Sequence, residues 1–293
     1  MHNIHPAFTG ATIDRADQLR NDPDGLTQAM MKPSARVLAM QGLDPAFDDQ
    51  GELMWTSIAE TSVESALLLL GLDSGKPCFV ELPKEPIKSG PANPRMWQAM
   101  AMLPPDQLAI YGAARSLIDW HGRHRFCAVC GEGTKIGKGG WSRECGSCKA
   151  EHFPRVDPVA IMLAEHDGKI LMGRQPAFPP KRFSALAGFI EPGESIEEGV
   201  ARELWEEAGI RVRDVRYIAS QPWPFPSSLM MACTSVTDDP TLTLDTTEIE
   251  EAHWFTEAEV RSAMNGESGA PFIAPPPFAI AHNLLVHWLS KRG

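Results

Sequence analysis

Four cysteines set the tightest limit on how this 293-residue chain can fold. They are spaced Cys127-x2-Cys130-x14-Cys145-x2-Cys148, inside a stretch, 123–154, with almost no apolar periodicity. Such a stretch cannot bury a core of its own and needs a staple. Each Cys-x-x-Cys is a tight turn that aims two sulfurs at one point, and two such turns supply the thiolates of a tetrahedral Zn²⁺ site. Four soft ligands fill the shell and leave no open position, so the expected role is structural, with one Zn²⁺ per chain. The rival reading, a redox pair, lacks the thioredoxin-like setting such pairs use. Nucleic-acid binding by the ribbon has little support, since 121–155 carries seven Lys/Arg against three Glu and the thiolates add negative charge. A scaffold is the better reading.

The other two cysteines, Cys78 and Cys233, lie in apolar strand-like runs and read as small buried hydrophobes. Six cysteines in this length do not make a disulfide scaffold. The longest apolar run, Ala66–Leu70, is far short of the roughly 20 residues that span a bilayer. The first residues lack an apolar signal core. A cytoplasmic protein with no membrane partner is expected.

The length suggests about two domains, and texture divides the chain into an N-terminal α+β segment (1–122), the cysteine segment (123–154) and a strand–loop–helix region (155–293). Upstream, 53–60 and 76–83 read as strands and 84–95 as a loop. A helix opens at Pro104-Pro105, with Leu108, Tyr111, Ala114, Leu117, Ile118 and His121 near one face. Downstream, 159–163 and 169–173 read as strands flanking a turn at Asp167-Gly168. Further strands are expected at 183–189, 211–220 and 229–236, with a last helix at about 278–291.

The densest chemistry is at 188–210, with seven Glu and one basic residue, Arg202. Ser195 and Glu198 form a capping box that starts a helix at Ile196, and Gly209 sits where such a helix ends. Ile196, Val200, Leu204 and Ala208 follow an i, i+4 stripe for burial. Glu203, Glu206 and Glu207 share one face, and Arg202 can pair with Glu198 or Glu206 one turn away. Like charges at this spacing repel, and the helix C-terminus disfavours anions. A hard divalent cation, Mg²⁺ or Mn²⁺, removes the conflict.

These residues resemble the Nudix box, G-x5-E-x7-R-E-U-x-E-E-x-G-U with U apolar, at Gly188, Glu194, Arg202, Glu203, Leu204, Glu206, Glu207, Gly209 and Ile210. The resemblance implies an α/β/α sandwich with a mixed sheet and hydrolysis of a nucleoside diphosphate linked to another moiety. It implies Glu203 and Glu207 as metal ligands, Glu206 as a ligand or water activator, and Arg202 as the residue that orients the glutamates. Glu194 either binds metal through water or braces the loop.

Specificity is expected outside the box, in Ser220, Gln221, Pro222, Trp223, Pro224, Phe225, Pro226, Ser227 and Ser228. The alternating prolines should stop ladder pairing and hold a stiff extended segment. Trp223 and Phe225 offer flat surfaces, and Gln221, Ser227 and Ser228 offer hydrogen bonds. This run is similar to the signature of the NADH pyrophosphatase branch, which also carries a four-cysteine ribbon just before its Nudix domain. The resemblance is strong over 123–290 and covers 1–122 only as a variable domain. It implies Glu248 as a distal metal ligand, with Glu251 secondary, and the backbone carbonyl of Ala187 as another. Phe153 and Phe189 match base-stacking positions and Ala281 a base-pocket position. A ribbon glutamate of some members is replaced near Gly140 here, and the adjacent Trp141 is expected to pack the ribbon. Arg95 is a further candidate for substrate contact, and the histidines read as packing or surface residues.

The implied reaction is cleavage of NADH or NAD⁺ to NMN(H) and AMP by a homodimer, with NAD-capped RNA as a second substrate. The alternatives are ADP-ribose or dinucleoside polyphosphate hydrolysis, or a non-catalytic nucleotide sensor. The formal net charge of −11 argues against a general nucleic-acid binder. More than half of it sits in 188–210, whose seven Glu and one Arg give −6.

Overall fold

Residues 5–62, 65–85, 87 and 94–292, apart from the side chains at 94, 95, 98 and 99, are described by the computed structural model. They form two units: Phe8–Val156 with Pro222–Ser227, and Met1–Ala7 with Asp157–Gln221 and Ser228–Gly293.

In the first unit, α1 (Asp17–Arg20) and α2 (Pro23–Met30) precede β1 (Arg36–Leu38), the short pair β2 (Met40–Gln41) and β3 (Asp44–Pro45), β4 (Trp55–Ser57), β5 (Ala66–Asp73) and β6 (Lys76–Leu82). Asp22 caps α2 by accepting from the Gly25 N–H, and Pro23 takes the first helical position, where no amide is needed. The sheet order is β4-β1-β6-β5. Val37, Leu69 and Phe79 pack with Ala29 of α2 in its core. The strand expected at 53–60 stops at Ser57, whose hydroxyl caps a short 3₁₀ turn over Ile58–Glu60. The loop expected at 84–95 falls largely outside the described residues. Its last two residues already belong to α3 (Pro94–Met102), and α4 (Pro105–Arg123) follows. All six residues expected on the inner face of α4 are buried.

The ribbon consists of β7 (Thr134–Gly137), β8 (Ser142–Cys145) and β9 (Glu151–His152), paired in that order. Trp141 does not pack the ribbon as expected. Its Nε1 donates to the Leu69 carbonyl of β5 (2.7 Å), and the Arg20 guanidinium lies 3.7 Å from its ring centroid. A ribbon this small has no interior to receive an indole. Gly140 is seated so closely on Leu68 that a Cβ would come within 2.7 Å of it.

The second unit contains β10 (Asp157–His166), β11 (Lys169–Arg174), β12 (Leu186–Phe189), α5 (Ile196–Ala208), β13 (Arg213–Trp223), β14 (Ser228–Val236), β15 (Glu251–Thr256), α6 (Glu257–Met264) and α7 (Ile280–Ser290). The last two residues of β13 group with the first unit. The strand order is β13-β14-β10-β11-β15, with β12 also paired to β10. β10 is parallel to β14 and antiparallel to β11 and β12, so the sheet is mixed. Strand alternation divides β10 between two cores. Ala160, Met162 and Ala164 pack with Val200, Leu204 and Ala208 of α5. Ile161 and Leu163 pack with residues of α6 and α7. The fold is therefore an α/β/α sandwich within an α+β chain. Asp167 and Gly168 make the expected hairpin turn, both at positive φ (45° and 75°).

One expectation fails here. The prolines after Ser220 do not halt the ladder at once, because β13 runs through Pro222 to Trp223. Only 224–227 turn back into β14. β13 ends the strand order, and an edge strand tolerates proline where a central one does not.

Candidate metal and pyrophosphate site

The glutamate helix forms over Ile196–Ala208, as its caps require. Ser195 Oγ accepts from the Glu198 N–H (3.2 Å), and Glu198 Oε2 accepts from the Ser195 N–H (2.7 Å). Gly209 closes the helix at φ 72°, in the left-handed region that glycine enters without strain.

Glu198 is committed to the cap, and Arg202 bonds elsewhere. Its Nε and Nη2 donate to the two oxygens of Glu194 (2.6 and 3.0 Å). Its Nη1 donates to Glu203 (2.9 Å) and Glu206 (2.8 Å), and Nη2 also reaches the Phe189 carbonyl (2.8 Å). One rigid fork thus ties α5, the loop before it and the end of β12. Glu194 also accepts from the Glu191 N–H (2.9 Å), and its contacts are those of a brace. With these donors, Arg202 first, its carboxyl is held down at about 2.

The three box glutamates have distinct surroundings. Glu206 is exposed, whereas Glu203 lies in the angle between α5 and β12. Any Cβ at Gly188 would overlap the Glu203 carboxylate, so the box glycine is a requirement of space. Burial raises the Glu203 pKa, and Arg202 opposes the shift. Glu207 is 3% exposed, and among the described residues its Oε2 has no hydrogen-bond partner. Burial, reinforced by the charges of Glu203, Glu248, Asp245 and Glu206, pushes its pKa up to about 8.

Glu248 is exposed, in the loop before β15. Within that loop the Glu248 N–H donates to Asp245 O (3.1 Å), and two backbone bonds fix the loop to the last turn of α5: Thr243 N–H to Ala208 O (2.9 Å) and Asp245 N–H to Glu207 O (3.1 Å). These satisfy helix-end carbonyls that α5 leaves open. Sequence reasoning missed Thr243 and Asp245, because backbone bonding leaves no residue-type signal. A buried carboxylate with an unpartnered oxygen and further carboxylates around it is costly alone. It is a hard-oxygen donor set that fits a divalent cation.

In the ribbon, the four Sγ atoms lie within 4.8 Å of one another. The Cys127–Cys148 and Cys130–Cys145 pairs are 3.6 and 3.5 Å apart. Tetrahedral Zn–S bonds of about 2.3 Å place sulfurs about 3.8 Å apart, so the cluster fits Zn²⁺. His152 Nε2 lies 3.3 Å from Cys127 Sγ, a neighbour of the cluster outside the set of four.

Comparison with known proteins agrees with this geometry. Residues 154–274 match the NUDIX domain, 123–153 the NADH pyrophosphatase zinc ribbon domain, and 28–120 the NADH pyrophosphatase-like rudimentary NUDIX domain. The NAD-capped RNA hydrolase NudC of Mycobacterium bovis is 35% identical over 298 residues, covering 97% of this chain and 94% of that protein. The chain belongs to the NADH pyrophosphatase branch of the Nudix superfamily. The NAD-capped RNA hydrolase NUDT12 of Macaca fascicularis is 45% identical over 201 residues, covering 65% of this chain. The chain spans only 44% of that relative's length. A crystal structure of a NUDIX hydrolase from Nitrosomonas europaea aligns at a TM-score of 0.46 and 25% identity, over 57% of this chain and 92% of that one.

The remaining residues of the branch's pattern fall into two groups. Phe153 and Phe189 are 57% and 60% exposed, and the Lys138 ammonium lies 5.1 Å from the Phe153 ring centroid. Ser220, Ser227 and Ser228 are half-buried, and Ala187 lies in β12 beside Gly188. Trp223 and Phe225 do not stand free. Their rings lie 5.1 Å apart, and both meet Phe8 and Trp97 within 6.4 Å. Pro222 is exposed, Pro224 buried and Pro226 half-buried.

Gln221 differs from expectation. Its amide is wholly buried, with Nε2 donating to Ala7 O (3.1 Å) and Phe278 O (2.9 Å), and Oε1 accepting from the Ile280 N–H (2.9 Å). It holds the first turn of α7 and has no donor left to offer a ligand. Ala281, just inside α7, is 4% exposed and packs in the core. Glu251 lies on β15, 3.6 Å from His253, and His282 contacts the Pro275 carbonyl at 3.0 Å. The Arg95 side chain is outside the described residues.

Proposed function

We propose that this chain hydrolyses the pyrophosphate of NADH or NAD⁺ to NMN(H) and AMP, and cleaves the same linkage at the 5′ end of NAD-capped RNA. The observation that carries the reading is the buried Glu207 carboxylate with its unpartnered oxygen, set among Glu203, Glu206 and Glu248. The names of the mycobacterial and primate relatives, NAD-capped RNA hydrolases, support the substrate class.

Glu203, Glu206, Glu207, Glu248 and the Ala187 carbonyl would hold Mg²⁺ or Mn²⁺. Bound there, the ions would offset the pyrophosphate charge and lower the pKa of the attacking water. A glutamate of this set takes the proton. The water oxygen adds to one phosphorus, and the bridging P–O bond breaks, leaving one phosphate on each nucleotide. Arg202 keeps Glu203 and Glu206 oriented. On the resemblance to the branch, Phe153, Phe189, Trp223 and Phe225 receive the bases, Trp223 and Ala281 meet the base from facing subunits of a dimer, and Ser220, Ser227 and Ser228 serve as hydrogen-bonding groups. The segments 1–122, 123–154 and 155–293 serve as scaffold, ribbon and catalytic domain, in a reducing compartment such as the cytoplasm.

The direct test is Glu207→Gln assayed on NADH with excess Mg²⁺. A fall in kcat of about a hundredfold or more is expected, and wild-type kcat would overturn the proposal. Parallel assays on ADP-ribose, diadenosine polyphosphates and NAD-capped RNA rank the substrates, and nucleotide binding without cleavage identifies a sensor. We also propose a homodimer, on the resemblance to the branch. A monomer mass at all concentrations in sedimentation equilibrium contradicts it.

A further inference from the structure

The turn that joins β13 to β14 is gripped by a side chain that no motif singles out. Arg115 lies within α4 and is 4% exposed. Its Nε donates to the Pro224 carbonyl (2.8 Å), and its Nη1 donates to the Leu43 carbonyl (2.8 Å). Asp44 Oδ1 and the Tyr111 hydroxyl each lie 3.3 Å from the same Nη1. The guanidinium carbon is 4.6 Å from the centroid of Phe225.

Two neighbours on the same face of α4 address the turn as well. Ser116 Oγ donates to the Pro226 carbonyl (3.3 Å). At Gly112 a Cβ would lie 3.0 Å from Phe8 and 3.5 Å from Pro224, so the missing side chain leaves room for both. Positions 112, 115 and 116 are i, i+3 and i+4, one stripe of the helix.

A buried guanidinium is expensive to desolvate, and an apolar replacement of similar volume often stabilises as well or better. The particular contribution of arginine is geometric. Its planar fork fixes carbonyls in one plane and presents a flat face to an aromatic ring. We infer that Arg115 is a positioning residue, which from α4 sets the arrangement of Trp223 and Phe225 that receives a base of the dinucleotide. The inference rests on the reading of this turn as substrate-binding given above. The N-terminal segment then acts on the reaction through the turn, and Arg115 itself touches no substrate.

The test uses Arg115→Met and Arg115→Lys in the full chain, with amide hydrogen exchange over 223–228 and steady-state kinetics on NADH with excess Mg²⁺. Arg115→Met should speed exchange in the turn and raise KM about tenfold, with kcat within about twofold. Arg115→Lys, which keeps the charge without the fork, should fall between. A variant that is only destabilised loses active molecules, which lowers apparent kcat and leaves KM unchanged. That outcome, or wild-type exchange in the turn, overturns the inference. If Arg115→Met does not fold, Ser116→Ala, which removes one bond to the same turn, should give a smaller rise in KM, and an unchanged KM overturns the inference equally. If the wild-type chain splits no dinucleotide, the proposed function fails, and the exchange comparison still decides whether Arg115 holds the turn.

Discussion

His121 shows how one buried side chain couples folding to pH. It is 1% exposed at the end of α4, with Nε2 2.8 Å from the Gly140 carbonyl and Nδ1 2.9 Å from Arg143 Nη1. The neutral ring with its proton on Nε2 satisfies both contacts, donating to the carbonyl and accepting from the guanidinium. Burial, aided by the Arg143 charge, lowers its pKa to about 4. Unfolded, the ring titrates near about 6.5. Between these values the unfolded chain binds more protons than the folded one, so stability rises with pH across that window. The contribution is fully present above the unfolded value and is lost as pH falls toward 4. We predict that His121→Gln, which cannot titrate, flattens the wild-type decline in Tm between pH 6.5 and 4. Equal slopes for the two proteins in thermal melts would refute this. The same scale separates the box glutamates: equal as letters, Glu206 is exposed and Glu207 buried.

At the scale of elements, α5 and β12 work as a pair. The helix is specified by its own letters, through the Ser195–Glu198 box, the apolar stripe and Gly209. The strand supplies an absence, because Gly188 leaves the space that the Glu203 carboxylate fills. We predict that Gly188→Ala displaces Glu203 and lowers kcat for NADH by about tenfold or more, since a misplacement of about 1 Å in a catalytic constellation can cost a hundredfold. The backbone at Gly188 is not in the left-handed region, so alanine adds no conformational strain and folding should persist. An unchanged kcat in a folded variant would remove this reason for the glycine. The signature run after Ser220 shows the opposite relation. Its prolines promised a segment outside the ladder, but an edge position let β13 continue to Trp223. Edge or centre is a property of the assembled sheet, so the letters of the run could not decide it.

Across the whole molecule, the ribbon lacks an apolar core of its own and depends on its metal and on β5 and α4. Removing zinc should release one equivalent per chain and lower Tm by several degrees, read by metal analysis and calorimetry. Zinc-free protein with the wild-type Tm would contradict the structural role. Much of the plan was legible in the sequence: the cysteine spacing, the limits of α5, the common face of Glu203, Glu206 and Glu207, and the buried stripe of α4. Each depends on chemistry within about one helical turn or one tight turn, which neighbouring letters fully specify. Tertiary structure decided the rest. It buried Glu207, gave Arg202 the partners Glu194 and the Phe189 carbonyl, and turned the Gln221 amide inward to α7. It also seated Trp141 on β5 and placed Arg115 under the turn. Burial and long-range hydrogen bonds depend on which distant segments meet, and no local run of residues records that.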